Sequence, residues 1–79
     1  MISRADAILL LLEELDQAIE KHPVWPSDPV HAAAIMVEEA GEALQAALDL
    51  TYGGKHAHKL KKEIVHTGAM AIRNLINLR

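Results

Sequence analysis

At 79 residues the chain has room for one domain over residues 1–79 and only a small core. Cysteine and phenylalanine are both absent, which excludes disulfides and thiolate metal sites and leaves an aliphatic core of Leu, Ile, Val, Ala and Met. A formal net charge of −3 argues against nucleic acid as the main partner, since phosphate backbones attract basic surfaces.

No stretch reads as a membrane span: the longest purely apolar run, Ala7 to Leu12, is far shorter than the roughly 20 residues a crossing needs. Arg4 is followed by acidic residues and no small-residue cleavage pattern, so a soluble cytoplasmic protein without a signal peptide is expected. Half of the residues are apolar, and a chain this small with so much aliphatic surface is expected to meet a second copy of itself.

Three helices are predicted, and no strand. The first runs from about Ser3 to Lys21, with Ser3 as cap and Asp6 in the positive first turn; His22-Pro23 ends it. A short stiff loop, 23–27, carries Trp25 between two prolines. The second helix starts at Asp28-Pro29, a preferred cap followed by a residue suited to the first helical position, and runs to about Leu50. Gly53-Gly54 breaks it, and the third helix covers about His56 to the end. The Gly-Gly turn predicts that helices two and three pack antiparallel.

Glu38-Glu39-Ala40-Gly41-Glu42 is the informative segment. At about 100° per residue, Ala32, Ile35, Met36, Ala43, Ala46 and Leu50 share one side, and Glu39 falls in its middle. Glu42 borders the apolar stripe and Glu38 lies further towards water. Most glutamate-rich helix segments are solvated faces. A carboxylate aimed at a core is usually paired or metal-bound, and Glu39 and Glu42, three apart, converge on one point. Two converging carboxylates suit a hard divalent cation.

On the third helix, Leu60, Ile64, Val65, Ala71, Ile72, Leu75, Ile76 and Leu78 form a wide apolar arc, expected to face the core. Glu63 sits at its edge with Thr67 and Asn74, while His66 falls on the polar side with Lys59, Lys62 and Arg73. Lys59, Lys61 and Lys62 read first as a solvated face and second as a phosphate-attracting patch. No pair among the five histidines has a convincing zinc spacing. Trp25 has two roles open to it, stacking on a base or capping the small core, of which the second is the commoner.

Glu38-Glu39-Ala40-Gly41-Glu42, followed some twenty residues later by Glu63-Ile64-Val65-His66, resembles the Glu-x-x-Glu … Glu-x-x-Asp signature of the MazG-like nucleotide pyrophosphohydrolases. His31-Ala32-Ala33-Ala34-Ile35 and Thr67-Gly68-Ala69-Met70-Ala71-Ile72-Arg73 extend the likeness to small bacterial and phage members, over about His22 to Leu75. The resemblance implies an all-α fold in which three main helices form a four-helix-type bundle completed by oligomerisation, as a dimer or tetramer. It implies Mg²⁺ or Mn²⁺ held by Glu39, Glu42 and Glu63, with Glu38 as a supporting or water-activating carboxylate. Lys59 or Lys62 would then hold outer phosphate oxygens. It implies cleavage of a nucleoside triphosphate to the monophosphate and pyrophosphate. The chain departs from the pattern at one place: the fourth metal position is His66, not a carboxylate. That departure leaves open a second reading, a catalytically inactive member that senses nucleotide or assembles with helical partners.

Overall fold

The computed structural model describes residues 1–78. It contains three α-helices and, among the described residues, no strand: α1 spans Arg4–Lys21, α2 Pro29–Gly53 and α3 Ala57–Asn77. Ser3 caps α1, its Oγ accepting the Asp6 N–H at 3.0 Å. Asp28 caps α2, its Oδ1 accepting the Val30 N–H at 3.0 Å, with Pro29 in the first turn. These two caps satisfy amide donors that a helix start leaves without partners.

α2 continues three residues past Leu50 and stops at Gly53. Gly54, left-handed at φ 65°, supplies the termination, and its N–H donates to Leu50 O at 3.0 Å. His56 is also left-handed (φ 67°) and caps α3 without a side-chain hydrogen bond. These two left-handed residues, with Lys55 between them, turn the chain from α2 into α3.

α3 is the central element. Both α1 and α2 pack on it, and no Cα of α1 lies within 8 Å of a Cα of α2. The shape is accordingly an elongated slab of 41 × 26 × 20 Å. The core is thin. Leu15, Ala69 and Met70 form its centre, with Ala18, Trp25, Ile35, Met36 and Ile72 packed around them. Ala46 and Ala69 are wholly buried, and Gly68 sits under Leu11, whose Cδ2 is 2.6 Å from where a Cβ would be. Small residues thus set how closely the helices approach.

The face that α3 turns inward differs from the expected one. The buried residues of α3 are Glu63, Ala69, Met70 and Arg73, while Ile64, Leu75, Ile76 and Leu78 of the apolar arc are exposed. Arg73 does not lie on a solvated face; it is 3% exposed. The cause is topological. With α1 and α2 on separate flanks of α3, the polar strip between them is walled on both sides, and part of the apolar arc is left outward.

Two side chains fasten this arrangement. Arg73 donates from Nη1 to Ala18 O at 3.3 Å and from Nη2 to His22 O, so it satisfies carbonyls at the C-terminal end of α1. Its guanidinium also lies over the Trp25 ring, 4.6 Å from the centroid. Asn74 Nδ2 donates to Ala32 O of α2 at 3.2 Å and to Met70 O at 3.0 Å. Among the described residues no helix is long and apolar enough to cross a membrane.

Candidate metal centre

α2 holds Glu39 on the same side as Ala32, Ile35, Met36, Ala43 and Ala46 because that side is pressed against α3. Glu39 is therefore half-buried, its side chain 25% exposed. α3 brings Glu63 and His66, one turn apart, to the same place. One donor atom from each of Glu39, Glu63 and His66 lies within 4.8 Å of the other two. His66 Nδ1 is 3.5 Å from Glu39 Oε2 and 3.9 Å from Glu63 Oε2. Both of those carboxylate oxygens are buried and have no hydrogen-bond partner among the described residues. Buried polar atoms normally have partners, so two orphans facing one imidazole form a set of donors suited to a cation.

His66 thus stands in the cluster, with a side chain 26% exposed, and not on an outer polar face. Its ring also has a partner that the sequence pattern did not include: Nε2 lies 3.4 Å from Glu14 Oε1 on α1. Glu14 shares a helix stripe with Leu11, Leu15 and Ala18, which is the one signal that places it inward.

Glu42 is exposed and stands outside this group of three donors. The hydrogen-bonding approach of the Glu63 carboxyl, and next the negative charge of Glu39, push its carboxyl above the ordinary value; burial and the charges of Glu63 and Glu38 add to the effect. Glu38 itself is exposed and acts on the cluster only as a nearby charge.

A cleft of about 740 Å³ opens beside the cluster, walled by α1 and α2 and floored by α3. Its lining includes Glu14, Glu39, Lys62, His66, Trp25 and Arg73. Of the phosphate-binding candidates, Lys62 lines this cleft and Lys59 does not. Trp25 closes its far end, half-buried against the core with Arg73 on one face of its ring. The structure thus brings Glu39, His66, Lys62 and Trp25 to the lining of one cleft, keeps Glu63 buried in the cluster with Glu39 and His66, and leaves Glu38, Glu42 and Lys59 off the lining. Compared with known protein families, curated proteins and solved structures, the chain matches none.

Proposed function

We propose that this chain is a divalent-cation-dependent nucleoside triphosphate pyrophosphohydrolase. The observation that carries the reading is the pair of orphaned, buried oxygens of Glu39 and Glu63 converging with His66 beside a cleft that Glu39 and His66 line. The same positions fill the Glu-x-x-Glu … Glu-x-x-His spacing that resembles the MazG-like signature. Glu39, Glu63 and His66 would hold the cation. A cation bound there supplies neutralisation of charge on the phosphates as the bridge between the α- and β-phosphorus breaks.

The remaining work belongs to the chain's own side chains. Lys62 holds outer phosphate oxygens at the mouth of the cleft, as a point charge on a flexible stem. Glu42, exposed beside the cluster, receives the proton of the attacking water, with Glu38 as a neighbouring negative charge. Trp25, which lines the cleft, offers the base an aromatic surface. The products are a nucleoside monophosphate and pyrophosphate.

The protein acts as a homo-oligomer in this reading. The chain exposes 5888 Å² of surface, against roughly 4,700 Å² for a compact monomer of its 8.7 kDa mass. The excess, about 1,200 Å² per chain, exceeds the roughly 800 Å² per partner of a standard interface. Ile64, Leu75 and Ile76 on α3, Leu78 just after it, and Ile8, Leu9 and Leu12 on α1 are exposed and apolar.

A second reading, a nucleotide-sensing or assembly protein without turnover, is favoured by one observation. His66 lies between Glu14 and Glu39, where an imidazolium would itself balance the carboxylates. Pyrophosphate release from a panel of nucleoside triphosphates, with and without divalent cations, tests the proposal. Release that depends on the cation and is lost in Glu39→Gln supports hydrolysis; nucleotide binding without release supports the second reading.

A further inference from the structure

The imidazole in this cluster is held from behind. Neutral histidine has one ring N–H and one ring lone pair, and the partner of the first decides where the second points. Nε2 of His66 faces a carboxylate oxygen of Glu14 at 3.4 Å. A carboxylate only accepts, so with a cation held between Nδ1, Glu39 and Glu63 the ring proton belongs on Nε2, where Glu14 accepts it. Nδ1 faces Glu39 Oε2 at 3.5 Å and Glu63 Oε2 at 3.9 Å. Donors about 2.1 Å from a common ion stand roughly 3.0–3.5 Å apart; the two separations from Nδ1 are close to that, and all three donors lie within 4.8 Å of one another, so the carboxylates draw in as the ion binds. Glu63 strengthens the case independently of the charge count: it is 7% exposed, and its Oε2 is without a hydrogen-bond partner among the described residues.

We propose that His66 is a metal ligand through Nδ1, that Glu14 is the positioning residue that orients it, and that the site thereby selects a borderline transition ion such as Mn²⁺, Fe²⁺, Co²⁺ or Zn²⁺ over Mg²⁺. The inference rests on the reading of Glu39 and Glu63 as ligands given above. Its chemistry is that of ligand softness. Carboxylate oxygen suits Mg²⁺, whereas imidazole nitrogen suits the later first-row ions and Zn²⁺. A carboxylate behind a ligating histidine fixes its tautomer and makes it a stronger donor. Here that carboxylate comes from α1, a helix that contributes no position to the Glu-x-x-Glu … Glu-x-x-His pattern.

The test is a metal titration of the whole purified chain, read without turnover. Co²⁺ serves as the probe, because its visible absorption reports nitrogen ligation, and Mg²⁺ is titrated separately by calorimetry. The expected result is Co²⁺ binding at least about 100-fold tighter than Mg²⁺, following the order of affinities for sites containing nitrogen. His66→Asp is expected to narrow that ratio at least about tenfold and to tighten Mg²⁺, as the change of donor dictates. Glu14→Gln is expected to weaken Co²⁺ by about 10- to 100-fold, the range for loss of an orienting carboxylate, while changing Mg²⁺ far less. Circular dichroism confirms that each variant is folded. Equal affinities for the two ions, or an unchanged Co²⁺ spectrum in His66→Gln, would overturn the inference. Tight Co²⁺ binding without pyrophosphate release upholds it and fails the hydrolase reading. Release supported by Mg²⁺ with no discrimination between the ions does the reverse, and no binding of any ion overturns both.

Discussion

Glu39 occupies the packed side of an alanine-rich helix, where a leucine would ordinarily stand, and its Oε2 is buried without a partner among the described residues. Keeping that oxygen ionised and dry works against folding unless a cation joins it. Glu39→Gln keeps the shape and removes the charge. The variant is expected to be at least as stable as the wild type in chelator and to lose the rise in melting temperature that a divalent cation gives the wild type. Thermal melts with and without the cation check this; an equal rise in both proteins would remove Glu39 from the ligand set. Glu42 yields a pH dependence. Its carboxyl is raised in the fold above the unfolded value of 4.5, so the fold favours its protonated form. The contribution to stability is fully present below 4.5 and is lost as pH rises through the folded value. In chelator, wild type and Glu42→Gln should melt alike near pH 4, and the wild type should fall below the variant towards pH 7. The position of Glu39 was legible because helix periodicity alone sets it. The position of His66 was not, because a residue 60° or so off the apolar arc points to water or to a neighbour according to where α1 lies, and that is decided by tertiary packing.

Each helix was legible from its caps and breakers, down to Ser3, Asp28-Pro29 and the Gly-Gly stop, because these are local chemistry. Which face of α3 would be buried was not legible. Its periodicity favours the arc of Ile64 and Leu75, but burial follows the residues that bind the flanking helices: Arg73 to the end of α1 and Asn74 to α2. Arg73→Ala removes two carbonyl partners and the contact over Trp25, and is expected to cost about 3 kcal/mol, measured by denaturant unfolding. Arg73→Lys should recover only part of this, since an ammonium lacks the planar fork. Two helical glycines should answer oppositely to enlargement. A Cβ added at Gly41 would meet nothing within 4 Å, so Gly41→Ala should stabilise by about 1 kcal/mol through helix propensity alone. Gly68 lies against Leu11, so Gly68→Val should destabilise by roughly 1–3 kcal/mol through overpacking between α1 and α3.

At the scale of the molecule, the outward apolar arc of α3 and the exposed Ile8, Leu9 and Leu12 of α1 fit a chain that completes its burial against a copy of itself. The expected outcome by light scattering or sedimentation at micromolar concentration is a dimer or tetramer. Replacing Ile64 and Leu75 together by Lys should yield smaller species with lower melting temperature; a wild type that is monomeric and stable would refute the assembly.

That the backbone of α1 lies against α3 and away from α2 also has a kinetic side. The hairpin of α2 and α3 is joined by a short turn, so its contacts begin close in sequence and extend outwards to Asn74 and Ala32, whereas α1 has no such near start and must be recruited across most of the chain, Arg73 reaching back to Ala18 over 55 positions. Local contacts close early and at small entropic loss, and distant ones follow. The hairpin and α1 should therefore behave as two cooperative units, with amide protons of α1 exchanging with solvent at a lower opening free energy than those of the hairpin. Glu39, Glu63 and His66 lie wholly within the slower unit, and Glu14 within the faster one. Loading of the cluster with cation is then expected to slow exchange in α1, with the His66 imidazole as the joint between the two units at that depth of the cleft.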